Sequence, residues 1–424
     1  MKNLYAFVQS VVIAVLLTAQ ISYAQTYDLV IRNATLIDPR NDINEKMDVA
    51  IKDGKIAQVE RKIEAKDAAQ SVDATGLYLV PGIIDMHVHV YHGTEQDAYI
   101  SNSFTSVPPD AFSFRAGVTT MVDAGSSGWR NFENFKAQTI ENSKTRVLAF
   151  LNIVGYGMKG GKVEQNLMDM DAEQTAYIAN KYADLIVGFK VAHYSGPEWD
   201  PVDRAVKAGT IANKPVMIDF GGHTPELSLE TLLMEKLRPG DIFTHCYAHV
   251  RGRIPILDES SNVRPFVKAA QERGIIFDVG HGGGSFLFEQ AIPAIQQGFK
   301  PDAISTDLHT GSMNGGMKDQ LNVMSKFLNM NVPLAEVIAQ STWNPAQYIH
   351  REELGHLSVG ALADLALLRV VEGDFGFIDT GGFKMEGDRK LVCELTVKDG
   401  VVMWDLNGIS RPAWTKEGDP VGRK

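Results

Sequence analysis

Two histidines separated by one valine, His87 and His89, close the run Pro81-Gly82-Ile83-Ile84-Asp85-Met86-His87-Val88-His89. On a strand, residues i and i+2 face the same way, so the two imidazoles meet where one metal ion can take both. A pair of histidines on a solvated strand face is the plainer alternative. Further along, apolar runs end on or near residue types that ligate metals, move protons or bind substrates: Asp123, Asn152, Lys190, Asp219, His245, His281 and Asp307.

The elements that must position these residues can be read from the same text. Between about residues 81 and 350, apolar strand-like runs alternate with helical stretches, the pattern of βα units on a parallel sheet. Eight candidate strands fall near 83–89, 118–123, 147–154, 185–191, 215–220, 241–246, 274–280 and 302–307. Eight is the barrel number, and in such a barrel the C-terminal ends of the strands form the active face, which is where the polar residues fall. Before this region, short alternating runs (YDLVIRNATLID, MDVAIKDGKIAQV, LYLV) carry an Asp53-Gly54 hairpin turn. The same texture returns in ADLALLRV and CELTVKDGVVMW with Asp399-Gly400. The predicted fold is therefore α/β: a (β/α)8 TIM barrel over 81–350, with a small β-sandwich domain formed from N- and C-terminal segments, 25–80 and 351–424.

Composition is that of an ordinary soluble globular protein rather than a disordered or membrane one. The 424 residues are 44% hydrophobic and 8% aromatic, ordinary values for a chain with a large core. A formal charge of −11 argues against a nucleic-acid surface, which needs clustered Lys and Arg. Cys246 and Cys393 lie in different predicted domains and read as free thiols. At the start, Lys2, the apolar stretch VVIAVLLTA and Ser22-Tyr23-Ala24 have the order of an export signal. Cleavage after Ala24 is expected, leaving a periplasmic or secreted protein that begins at Gln25. The apolar stretch is short of the roughly 20 residues that a spanning helix needs.

With its Pro-Gly lead-in, the His-x-His strand resembles the first barrel strand of the amidohydrolase superfamily. Trp343-Asn344-Pro345-Ala346 and Gly360-Ala361-Leu362-Ala363-Asp364-Leu365 extend the likeness, which is greatest to the dihydroorotase-like and deacetylase-like branches. That resemblance implies two divalent metal ions, zinc by default, held by His87, His89, Lys190, His245, Asp307 and a fifth-strand ligand. Lys190 matches a lysine that is carboxylated and bridges the ions; burial lowers an amine's pKa, and a neutral amine can capture CO2. A lysine reaching to the rim is the alternative. At the fifth strand the chain departs from the family, placing Asp219 where a histidine is usual, with His223 four residues later. Strand register favours Asp219 as the ligand, and His223 stays open.

The implied chemistry is hydrolysis by a metal-bridging hydroxide, with Asp307 accepting the proton and delivering it to the leaving group. His281, in a Gly-rich turn, is expected either to hydrogen-bond the oxyanion or to be structural. His-Gly-Gly-Gly also occurs in lipases, but no Gly-x-Ser-x-Gly elbow accompanies it. His223, His309, Arg251, Arg253 and Arg130 are candidates for substrate contact or for solvated positions. Gly155-Tyr156-Gly157-Met158-Lys159-Gly160 fits G-x-G-x-x-G without a following helix signal and reads as a loop that shapes the pocket. The expected partner is a small-molecule substrate, with no nucleic acid and no membrane after signal cleavage; a homo-oligomer stays open. The expected reaction is deacylation of an amide or ester, with cyclic-amide hydrolysis and deamination as alternatives and a non-catalytic scaffold disfavoured.

Overall fold

A computed structural model of the chain describes residues 26–92 and 105–414. The export signal and its boundary at Ala24 lie outside the described residues. No helix among the described residues is long and apolar enough to cross a membrane.

The first five strands are β1 (Tyr27–Asp38), β2 (Ile43–Lys52), β3 (Lys55–Glu60), β4 (Ala68–Asp73) and β5 (Tyr78–Pro81). The barrel strands follow: β6 (Ile83–Val88), β7 (Val118–Gly128), β8 (Arg146–Asn152), β9 (Ile186–Val191), β10 (Val216–Ile218), β11 (Ile242–Phe243) and β12 (Ile276–Phe277). These seven pair in parallel, each with its sequence neighbour, to form one curled sheet. Every residue of β6 and β9 is buried, which is why they read as unbroken apolar runs: helices cover one face and the barrel interior the other.

The eighth run, 302–307, forms no regular strand, unlike its seven predecessors. Single backbone bonds hold it on both sides. Val279 N–H donates to Ala303 O (3.1 Å) and Gly282 N–H to Thr306 O (2.8 Å), while Asp307 N–H donates to His87 O (2.7 Å) and His89 N–H to Leu308 O (2.8 Å). The ring therefore closes between the seventh and first strands, at the level where His87 and Asp307 meet.

Inside the barrel, Ile84, Met86, Val122, Leu148, Phe150, Val187 and Met217 pack with Ala346, Ile349 and Leu354, which plug the end away from the site. Ile83, Val88, Met121, Ala149 and Phe189 belong to the larger cluster under the surrounding helices. On β6 the pairing slips between Asp85 and Val88. There the alternation shifts, so His87 and His89 turn inward above Met86 rather than outward with Ile83 and Asp85.

The remaining strands, β13 (Leu365–Ile378), β14 (Lys384–Lys398) and β15 (Val401–Asp405), join the N-terminal ones in one eight-stranded sheet. The two chain ends are knitted at β5, which runs parallel to β1 and antiparallel to β13, with Val80 opposite Ala366. Asp53 and Gly54 take φ of 50° and 74°, Asp399 and Gly400 49° and 78°, the left-handed pairs that a two-residue hairpin requires. The β13–β14 hairpin extends beyond the sandwich predicted for this segment. Its tip lies over the barrel: Thr380 N–H donates to Phe286 O (3.0 Å), and Asp379 Oδ2 accepts from Phe288 N–H (3.0 Å).

Candidate metal centre

The protons on the imidazoles can be located from their partners. Thr244 donates its hydroxyl proton to Asp278 Oδ2 (2.6 Å), so at 2.9 Å from His87 Nδ1 the same oxygen can only accept. His87 thus carries its proton on Nδ1 and presents the Nε2 lone pair to the barrel axis. His245 Nδ1 bonds the carbonyl oxygen of Gly280 (2.6 Å), which can only accept, and so also presents an Nε2 lone pair. His89 Nδ1 is held by Ser126 Oγ (3.0 Å), whose backbone N–H is fixed by Asp123 Oδ1 (2.7 Å). Rings anchored through Nδ1 with Nε2 facing a common space are the arrangement of metal ligands supported from behind.

Asp307 completes this half of the site. Its Oδ1 lies 3.0 Å from His89 Nε2 and 3.6 Å from His87 Nε2. Ligand atoms of His87, His89 and Asp307 all fall within 4.8 Å of one another, and all three residues are buried. Burial alone would raise the Asp307 carboxyl, but hydrogen bonding to His89 and the nearby histidine rings hold it below its ordinary value. Gly282 permits the approach of Asp307: its φ is 56°, and a Cβ there would stand 2.3 Å from Asp307 Oδ2.

Lys190 is 1% exposed, with Nζ 3.2 Å from His87 Nε2 and 3.7 Å from Met217 Sδ. Burial pulls its pKa down, against the opposing pull of Asp219 and Asp307. An N–H of Lys190 donating to the His87 Nε2 lone pair agrees with the tautomer deduced from Thr244.

The fifth strand brings Asp219 to the centre. Asp219 Oδ2 lies 3.4 Å from His245 Nε2 and 3.8 Å from Nε2 of His193. Burial disfavours its charge, yet His245, Lys190 and His193 outweigh that and hold the carboxyl well below the usual range. His223 is placed apart. Its Nδ1 donates to Gly196 O (3.0 Å), its ring packs on Phe220 at 4.7 Å, and its buried Nε2 meets no hydrogen-bond partner.

Other expected site residues fall elsewhere. His281 is buried and stacked on Phe286 at 4.6 Å; Nδ1 is taken by Gly282 O and Nε2 by Lys326 Nζ (2.5 Å), so neither nitrogen is left for an oxyanion. Arg253 is equally committed. It donates to the carbonyls of Thr244 and His245 and covers Phe243, bracing the sixth strand rather than meeting a substrate. Arg130 pairs with Asp169 (2.7 Å) over Trp129, and Arg251 is exposed. His309 does reach the centre: its Nδ1 accepts from Gly311 N–H (3.0 Å), leaving Nε2–H directed at Asp307 Oδ2, 3.9 Å away. Cys246 and Cys393 are free and buried.

Three supports escaped the sequence reading. Thr244 and Asp278 had no local signal, because their function is set by a hydrogen bond to His87. His193 did have one: it follows Lys190 by three residues at the end of the same strand.

A ring of βα units with imidazoles, a buried lysine and carboxylates gathered at the strand ends defines a metal-dependent hydrolase of the barrel type. Comparison with known proteins agrees. The profile of the amidohydrolase family matches residues 288–401. A deacetylase of Brucella anthropi is 36% identical over 340 residues, covering 78% of this chain and 81% of that one. A deacetylase of Agrobacterium fabrum is 36% identical over 337 residues, covering 78% and 80%. Among solved structures, a dihydroorotase superposes with a TM-score of 0.77 at 31% identity, covering 88% of this chain and 98% of that one. An adenine deaminase gives 0.80 at 27%, covering 89% and 100%. The chain belongs to the amidohydrolase superfamily and is a metal-dependent hydrolase acting on carbon–nitrogen bonds.

Proposed function

We propose that the enzyme removes a small acyl group from an N- or O-acylated metabolite, using two divalent cations, preferably zinc, and a carboxylated Lys190. The observation that carries the hydrolytic part is the set of Nε2 lone pairs on His87 and His245 around buried Lys190 and two ionised carboxylates. This donor set fits two hard-to-borderline cations. The preference for an acyl substrate rests on the two relatives named deacetylases.

His87, His89 and Asp307 would hold one ion, Asp219 and His245 the other, and the carbamate of Lys190 would join them. When bound, the ions supply a water that ionises near neutral pH and polarise the acyl oxygen. Asp307 Oδ1 faces His87 and His89, while Oδ2 stays directed toward the mouth beside His309. Oδ2 takes a proton from the attacking water as the new C–O bond forms, then returns it to the leaving nitrogen or oxygen as the old bond to the acyl carbon breaks. His309 Nε2–H is placed to donate to the substrate from the rim.

Protein loaded with zinc and bicarbonate is expected to release acetate from acetylated amino or hydroxy acids. Ring opening of dihydroorotate or hydantoins, or ammonia release from a purine, would overturn the acyl assignment in favour of the chemistry named for the dihydroorotase or the adenine deaminase. Carboxylation is tested by 13C NMR after labelling with bicarbonate: a carbamate resonance is expected in the native enzyme and none in Lys190→Arg.

We also propose that the chain is exported and cleaved after Ala24, on the strength of Lys2, VVIAVLLTA and Ser22-Tyr23-Ala24. N-terminal sequencing of the mature protein should begin at Gln25.

A further inference from the structure

The second half of the centre has one imidazole from the predicted set, His245, and an imidazole that the prediction omits. His193 Nδ1 bonds Glu164 Oε2 at 2.8 Å, and Glu164 Oε1 accepts from Gly160 N–H at 2.6 Å. The Glu164 side chain is 1% exposed and that of His193 48% exposed. A fully buried carboxylate thus holds a ring that is half open to the mouth. As the carboxylate accepts, Nδ1 carries a proton, which leaves Nε2 as the nitrogen turned to the centre, as in His87 and His245. Nε2 stands 3.8 Å from Asp219 Oδ2, and the same oxygen lies 3.4 Å from His245 Nε2. Donors about 2.0–2.1 Å from a tetrahedral zinc stand roughly 3.4 Å apart. The Asp219–His245 pair already has that spacing, and His193 Nε2, 3.8 Å from the same oxygen, would join the ion by turning toward it.

The backbone supports the same reading. His193, His245 and Asp307 all take left-handed φ, of 56°, 56° and 50°. Such a conformation is unfavourable for non-glycine residues and is kept where the surroundings impose it, often at functional sites. Asp219 N–H donates to Val191 O (3.0 Å), fixing the fifth-strand end against the segment that carries His193.

We propose that His193 is the second imidazole ligand of the second cation, beside Asp219 and His245, and that Glu164 is its positioning residue. The imidazole missing from the fifth strand is then supplied from the end of the fourth, and the loop after β8 becomes part of the metal site through Glu164. This rests on the two-ion reading above.

The test is equilibrium metal content and affinity, by elemental analysis and chelator competition with Zn2+ in the presence of bicarbonate. The full-length mature protein, His193→Gln, Glu164→Gln and His223→Asn are compared. The native enzyme should hold two ions. His193→Gln should keep the first, which reports an intact barrel, and bind the second at least tenfold more weakly. Glu164→Gln should weaken the second ion about 10–100-fold, and His223→Asn should match the native enzyme. Unchanged second-ion affinity in His193→Gln, whether or not KM rises, would overturn the proposal and make His193 a substrate group. Fewer than two ions in the native enzyme would instead overturn the two-ion reading.

Discussion

Asp219 Oδ2 stands 3.4 Å from His245 Nε2, so the fifth and sixth strands of this barrel meet as carboxylate against imidazole. A carboxylate ligand leaves more negative charge beside the reacting water than an imidazole does and makes that water less acidic. Asp219→His is expected to keep both ions and move the acidic limb of the kcat profile to lower pH. Asp219→Asn is expected to weaken the second ion at least tenfold. Metal titration and pH–rate profiles check both.

Thr244 couples His87 to Asp278, accepting from one and donating to the other. Thr244→Val removes the acceptor that fixes the His87 tautomer and the donor that satisfies a buried carboxylate. Loss of metal affinity of about 10–100-fold at the first site is expected, with His89 and Asp307 still in place. Chelator competition measures it; unchanged affinity would show that Asp278, 3.5 Å from His87 Nδ1, suffices alone.

For Asp307, the carboxyl is ionised at neutral pH, because the histidines overcome the effect of burial. Asp307→Asn removes the proton acceptor and should lower kcat about 10²–10⁴-fold. Single-turnover kinetics on metal-replete protein separates this loss from any loss of metal.

Lys326 is buried and donates to His281 Nε2, Gly316 O and Ile378 O, tying the β13–β14 hairpin to the barrel. Three acceptors suit an ammonium, yet burial brings its pKa down to about 7, with nearby Lys318 adding to the effect. Its unfolded value is the ordinary 10.5, so between pH 7 and 10.5 the unfolded chain binds more protons than the folded one. This group's contribution to stability therefore grows as pH rises through that window and is lost as pH falls toward 7, by on the order of a few kcal/mol. Denaturant unfolding from pH 7 to 9 should show a steeper rise for the native protein than for Lys326→Met.

Much of the architecture was legible in the sequence because it depends on local periodicity. Buried parallel strands read as apolar runs, and the two Asp-Gly turns announced their hairpins. Binding residues at strand ends followed from the barrel rule, and His87, His89 and Asp307 do converge. The eighth strand was less regular than its apolar run implied, since closing bonds to the seventh and first strands replace a ladder. His281 and Arg253 look like site residues by type and position, but partners distant in sequence occupy them: Lys326 for one, the carbonyls at the sixth-strand end for the other.

What the sequence determined by itself is the kind of protein: a barrel with a β-domain drawn from both chain ends and metal-binding residue types at its strand termini, because periodicity and residue chemistry are local properties. The tertiary structure decided which nitrogen of His87 and His245 carries its proton, that Asp219 rather than His223 faces the centre, and that His193 stands beside Asp219. Those outcomes depend on hydrogen-bond acceptors tens of residues away, such as Thr244 for His87 and Glu164 for His193, which only the closed barrel brings within bonding distance.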